Sequence, residues 1–265
     1  MSLLPIFGAP KALIGMVHLL PLPGSPRWDG EMAAVIRRAV EDARALAAGG
    51  MQGLLVENYG DAPFTAGRVE APTVAAMAVA IAEIRKAVAL PVGVNVLKSD
   101  ARSGLAVAVA TGARFIRVNV HTGVVVADQG IVHSDAYALL RDRRLLAADV
   151  KIFADVQAKH GFPLVPVELE QEARDSVSRG LADALVVSGK ATGEETAMED
   201  IKRVRATVPS TPLLVGSGVT PDSIRAILSV ADGAIVGTFL KHDGKFANPV
   251  DPERVRRLVE AGRAC

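Results

Sequence analysis

Short apolar runs alternate with amphipathic stretches eight times along this chain, and that alternation restricts its fold more than any other feature. The runs cover residues 12–18, 53–58, 92–97, 115–120, 151–156, 184–188, 213–216 and 233–236. Helical patterns occupy 31–48, 71–89, 101–111, 134–148, 168–180, 197–207, 221–230 and 252–262. In the first of these, Val35, Ile36, Ala39, Val40, Ala43, Leu46 and Ala47 fall on one stripe at helical spacing. Strands separated by helices pair in parallel through right-handed crossovers. Near-continuous apolar runs suit strands buried on both faces. A doubly wound open sheet is the rival architecture. The even count and a length of 265 residues favour an α/β fold of one domain, residues 1–265, closed as a (β/α)8 TIM barrel.

A barrel of this kind carries its site at the C-terminal ends of the strands. The last two strands end in small residues. Leu213-Leu-Val-Gly-Ser-Gly-Val-Thr-Pro-Asp-Ser-Ile224 runs through Gly216, Ser217 and Gly218 toward a helix expected to start at Pro221 with Thr220 as its cap. Gly237 and Thr238 repeat the arrangement one strand later. Backbone N–H groups in two adjacent loops of this type can cradle a phosphate. A parallel α/β protein also uses such loops as plain tight turns.

The other strand ends are more polar than a core requires. His18, Glu57, Asn58, Asn95, Asn119, Asp155 and Ser188 stand there, with Lys98, Lys159 and Lys190 just beyond. An unpaired polar group inside an apolar strand costs about 1–3 kcal/mol, so these side chains face a cavity, a ligand or one another. Asp155 or Glu57 is a candidate general base and His18 an acid or proton shuttle. Glu57 can instead pair with Lys98 or Arg117. Asn58, Asn95, Asn119 and Ser188 are candidates for substrate contacts. The three lysines suit phosphate contacts or a Schiff base. Glu57, Asp155 and His18 could together hold a divalent metal, although no metal-ligand spacing occurs in the chain. Two long segments, 19–30 and 122–133, are candidate lids.

Net charge is +1, which gives no electrostatic case for nucleic acid. No apolar run approaches membrane-spanning length and no leader pattern opens the chain, so the expectation is a soluble, cytoplasmic protein without direct membrane insertion. Apolar Val74, Met77 and Ile81 on the second helical pattern suggest a homo-oligomer if they are exposed.

Taken together, several segments resemble the BtpA/SgcQ family. These are Gly15-Met-Val-His-Leu-Leu-Pro-Leu-Pro-Gly-Ser-Pro26, Val56-Glu-Asn-Tyr-Gly-Asp-Ala-Pro-Phe64 and Gly93-Val-Asn-Val-Leu-Lys-Ser-Asp100. Phe115-Ile-Arg-Val-Asn119, Asp128-Gln-Gly130, Ala154-Asp-Val156 with Lys159-His160, and Ser188-Gly-Lys-Ala-Thr-Gly193 complete the set. The chain departs from the pattern at His133-Ser134 and at Gln157. The resemblance implies a TIM-type barrel with a phosphate-binding end. It also implies a family named for photosystem I biogenesis in cyanobacteria, with other members among bacterial sugar-metabolism genes and no settled reaction. The leading functional expectation is an enzyme for a small phosphorylated metabolite, a sugar phosphate or nucleotide-like compound, by isomerisation, lyase chemistry or glycosyl transfer. The alternatives are a non-enzymatic assembly or stability factor for a membrane complex, as in photosystem biogenesis, with a phosphate-sensing site, and an FMN-binding enzyme.

Overall fold

The computed structural model of the chain describes residues 2–189 and 195–263. A short helix α1 (Leu4–Phe7) leads into β1 (Ala12–His18), α2 (Met32–Ala48), β2 (Gly53–Glu57) and α3 (Ala71–Ala87). There follow β3 (Val92–Asn95), α4 (Ala101–Thr111), β4 (Phe115–Val118), the strands β5 (Val124–Ala127) and β6 (Gly130–His133), and α5 (Ala136–Leu145). Next come β7 (Lys151–Val156), β8 (Gly161–Pro163), α6 (Leu169–Ser178), β9 (Ala184–Val187) and α7 (Met198–Thr207). The chain ends with β10 (Leu213–Val215), α8 (Ile224–Val230), β11 (Gly233–Val236) and α9 (Pro252–Arg263). Eight strands close in the order β1-β11-β10-β9-β7-β4-β3-β2, all pairs parallel. The expected (β/α)8 barrel is the fold.

Alternation along each strand separates two apolar layers. Leu13, Val17, Leu54, Val56, Val94, Ile116 and Val118 face the helices. Ile14, Met16, Leu55, Phe115, Phe153, Val186, Leu214 and Ile235 fill the barrel with Phe7 of α1. Phe115 and Phe153 stack with centroids 4.6 Å apart, and Phe7 meets Phe115 edge-on at 5.5 Å. Gly93 makes this floor feasible, because a Cβ there would lie 2.2 Å from the Phe115 ring. Two residues beyond Met16, Leu55, Gly93, Phe115, Phe153, Val186, Leu214 and Ile235 come His18, Glu57, Asn95, Arg117, Asp155, Ser188, Gly216 and Gly237. These occupy the next interior level, above the aromatic floor. Register fixes part of that ring directly, since His18 pairs with Glu57 and Glu57 with Asn95.

Several expectations change. Segment 122–133 is no plain loop: β5 and β6 form a hairpin through Asp128-Gln129, and β8 pairs antiparallel with the other side of β5. Val125 and Val132 turn inward against Val120 and give this small sheet its own core. The proline-rich segment 19–30 supplies no residue to the large cavity at the barrel mouth. Leu22 in it is fully buried and donates its N–H to Asp61 at 2.8 Å, so the segment is a pinned connection rather than a lid. Helix α8 starts at Ile224, not Pro221; Thr220 caps the turn before it, its hydroxyl accepting from the Ser223 N–H at 3.3 Å. Met77 and Ile81 are fully buried against the barrel and Val74 packs partly on the same core, which removes the observation behind a homo-oligomer. No described helix is long and apolar enough to cross a membrane.

Candidate functional site

The C-terminal mouth of the barrel opens into a cavity of about 910 Å³. His18, Glu57, Lys98, Asn119, Asp155 and Lys159 line it, and so do Gly216, Ser217, Gly218, Gly237 and Thr238. Asn58, Asn95 and Ser188 do not. Lys190 lies outside the described residues. Asn58 is committed structurally: its Nδ2 donates to Asp61 at 3.0 Å and its Oδ1 accepts the Leu97 N–H at 2.8 Å. Asn95 is fully buried and donates to the Arg117 carbonyl at 2.9 Å and to Asn119 Oδ1 at 3.3 Å, so it orients the wall behind the cavity.

Arg117 organises that wall. Its Nε and Nη2 donate to the two oxygens of Asp155 at 2.8 and 3.0 Å, and Asn119 Nδ2 adds a third bond to Asp155 at 2.9 Å. Glu57 therefore does not pair with Lys98 or Arg117 as a direct contact. Lys98 bonds Asp128 on the β5–β6 hairpin at 3.0 Å instead. Burial pushes the Glu57 carboxyl up to about 7, against the opposing pull of Arg117 and Lys159. Burial also brings the Lys159 amine down to about 8, helped by the Arg117 charge, while its Nζ donates to the Gly216 carbonyl at 2.9 Å. Gln157 and His160 on either side of this lysine both have positive φ, 53° and 55°.

His18 is neutral. Burial holds its imidazole down to about 3, with Lys241, Lys159, Arg38 and Arg117 adding to the effect. Its Nε2 lies 4.0 Å from Glu57 Oε1, too far for a hydrogen bond, and its buried Nδ1 has no partner among the described residues. The metal reading loses its geometry here. Among the described residues no three His, Cys, Asp or Glu side chains converge to hold an ion. Asp155 spends both oxygens on Arg117 and Asn119, and the nearby Arg117 and Lys159 charges oppose a dication.

The glycine loops abut this charged wall, where Lys159 bonds the Gly216 carbonyl. The N–H groups of Ser217, Gly218, Val219 and Gly237 have no acceptor among the described residues, and all four residues line the cavity. Gly218 has φ +66°, a conformation that favours glycine. The Ser217 hydroxyl accepts from the Gly189 N–H at 2.7 Å, which leaves its own hydrogen free to donate. Gly216 stands where a Cβ would come 2.5 Å from Ser188 Oγ and 3.2 Å from Arg117 Nη2. After β11 the chain turns into a single 3-10 turn, Thr238–Leu240, rather than a regular helix.

Sequence reasoning overlooked Arg254, Tyr59, Phe64 and Phe162, which also line the cavity. Arg254 reaches it from α9, with its guanidinium 4.4 Å over the Phe239 ring and its Nε bonded to the Phe239 carbonyl. Tyr59 and Phe64 belong to a motif quoted above for its likeness alone, so their side chains carried a signal that was present but unassigned.

The model of the BtpA family matches residues 9–264. A curated relative, the photosystem I biogenesis protein BtpA of Synechocystis sp., is 46% identical over 98% of this chain and 91% of its own length. The sgc region protein SgcQ of Escherichia coli K12 is 35% identical over 96% of this chain and 95% of its own. Among solved structures, N-(5'-phosphoribosyl)anthranilate isomerase from Pyrococcus furiosus superposes with a TM-score of 0.56. That similarity covers 96% of this chain and 100% of the isomerase at 13% identity, a likeness of fold.

Proposed function

This chain belongs to the BtpA family, and we propose that it is an enzyme whose barrel mouth binds a small phosphorylated metabolite. The observation that carries the reading is the set of four N–H groups, on Ser217, Gly218, Val219 and Gly237, without acceptors among the described residues on the wall of one cavity. Unpaired backbone donors clustered on one cavity suit a phosphate, and Arg254 adds a cation to the same lining. Anchored there, the ligand places its reacting carbons against Glu57, Asp155 and Lys159, which line the same cavity.

Glu57 is the proton acceptor in this reading, because its carboxyl titrates near the working pH. Asp155, held by Arg117 and Asn119, is a fixed charge that keeps the arginine in place rather than a mobile base. His18 is neutral and so acts through its ring N–H, polarising a carbonyl or hydroxyl oxygen of the substrate, rather than as an imidazolium acid. Lys159 holds part of its population uncharged near neutrality, within reach of a carbonyl substrate. These groups suit proton transfer next to a carbonyl, the step shared by isomerases and aldol-type lyases.

Calorimetric titration with ribose 5-phosphate and inorganic phosphate tests the assignment. Gly218→Asp puts a carboxylate in the cradle at a φ that aspartate tolerates, and Gly218→Asn is the uncharged control. Loss of binding in the first with retention in the second is the expected result. Equal binding by both variants and the wild type sinks it.

A second reading is an assembly or stability factor. It is favoured by the outer face of the lid sheet, where Val126, Ile131 and Phe162 are exposed side by side with Leu164 and Val165 following. Turnover by the purified protein that vanishes in Glu57→Gln separates the enzyme from that reading.

A further inference from the structure

Resting on the phosphate reading, we infer that the ligand carries a planar ring at the end away from its phosphate. Its chemical class is then a nucleotide-like phosphate ester rather than a simple sugar phosphate. The chain has 7 Phe, 2 Tyr and 1 Trp. Phe7, Phe115 and Phe153 build the barrel floor. Four of the rest, Tyr59, Phe64, Phe162 and Phe239, line the mouth cavity. A chain this poor in aromatics gathers them at one site.

Their placement divides the cavity. Phe239 follows β11 and is covered by Arg254, at the glycine-loop end. Tyr59 and Phe64 follow β2, and Phe162 stands on β8 after β7. In the barrel order β1 separates β2 from β11, and β9 separates β7 from β10. Aromatic surfaces thus flank the phosphate loops from both sides, each one strand removed.

Tyr59 is held as a wall, its ring 5.1 Å from His18, 6.4 Å from Phe64 and 4.8 Å from Phe246. Phe162 is 79% exposed and shares the outer face of the small sheet with Val126, so it marks the rim of the cavity, while Tyr59 and Phe64 supply the wall against which a ring can lie. Volume agrees. At about 910 Å³ the cavity lies near the top of the range of roughly 300–1,000 Å³ for sites that enclose drug-sized ligands. A phosphorylated sugar occupies a small part of it; a phosphate, a sugar and a ring together match it.

The test compares ribose 5-phosphate with adenosine, guanosine and uridine 5'-monophosphates and FMN by calorimetry on the full chain. At least one ring-bearing ligand should bind about tenfold or more tighter than ribose 5-phosphate, the scale expected from stacking on aromatic side chains. Tyr59→Ala should remove most of that advantage, and Phe64→Ala part of it, while both leave ribose 5-phosphate affinity within about twofold. Ribose 5-phosphate binding as tightly as every ring-bearing ligand overturns the inference and leaves the phosphate reading standing. Failure of all these ligands and of inorganic phosphate to bind overturns the phosphate reading itself.

Discussion

Arg117 and Asp155 meet across adjacent barrel strands as a two-point ion pair, buried to 6% and 2% exposure respectively. A guanidinium taken out of water in this way depends on its partner. Asp155→Asn keeps the shape and leaves the arginine uncompensated. We expect a loss of about 3–5 kcal/mol, the cost of breaking a buried pair by removing one charge. Chemical denaturation measures it. A double variant, Arg117→Met with Asp155→Leu, should recover most of the loss, because no orphaned charge remains.

Glu57 gives a pH dependence with a definite sign. Its pKa rises from 4.5 to about 7 on folding, so the native state keeps a proton that the unfolded chain has released. This group therefore makes stability fall as pH climbs from about 4.5 to about 7, with no further change above. In Glu57→Gln that slope disappears. The variant should gain on the wild type between pH 4 and pH 8 by an amount on the order of 3 kcal/mol. A constant difference between the two proteins across that range contradicts the assignment.

His18 has the opposite sense. Its pKa falls from 6.5 to about 3, so the unfolded chain takes up a proton below pH 6.5 that the native ring refuses. Its contribution is fully present above 6.5 and is lost as pH drops toward 3. The direct measurement is the nitrogen chemical shifts of the ring. They should stay at neutral-imidazole values from pH 8 to pH 5. A midpoint near 6.5 would show an exposed, charged histidine instead.

Gly216 and Gly218 fail differently when changed. A methyl group at Gly216 meets Ser188 Oγ at 2.5 Å and Val186 at 2.7 Å. Gly216→Ala should cost about 1–3 kcal/mol through overpacking. At Gly218 an alanine adopts φ +66°, and about 1 kcal/mol is the expected penalty for that conformation. Thermal melts of the two variants rank them, and equal stability of both with the wild type refutes the geometry of this loop.

The strand–helix alternation was legible because period and length agreed at every element, and β1, β7 and β11 span the residues expected of them. Cavity residues at strand ends were legible for the same reason: position in the alternation places them. The lid was not. Its strands 124–127 and 130–133 are four residues each, and their apolar pairs sit on both faces, Val125 and Val132 inward but Val126 and Ile131 outward. The third strand comes from another loop, so no local pattern announces the sheet. The partition of the carboxylates was hidden too. Whether Arg117 meets Glu57 or Asp155 depends on the β4–β7 register, in which Arg117 faces Phe153 two residues short of Asp155. Arg254 reaches the mouth through the packing of α9, which spacing along the chain does not encode.

Closure of the barrel sets the order in which this site comes into being. Strand β1 has β11 as one neighbour, from Ala12 against Gly233 to Gly15 against Val236. During synthesis the edge of β1 stays unpaired until almost the whole chain has left the ribosome. His18 and Glu57 wait on one rim of an open sheet while Gly237 is still unmade. The mouth thus forms last, from the most distant contacts in the chain, and such contacts are the slowest to form. Until that moment β1 is a bare strand edge in search of a partner, the kind of surface on which newly made chains stick to one another.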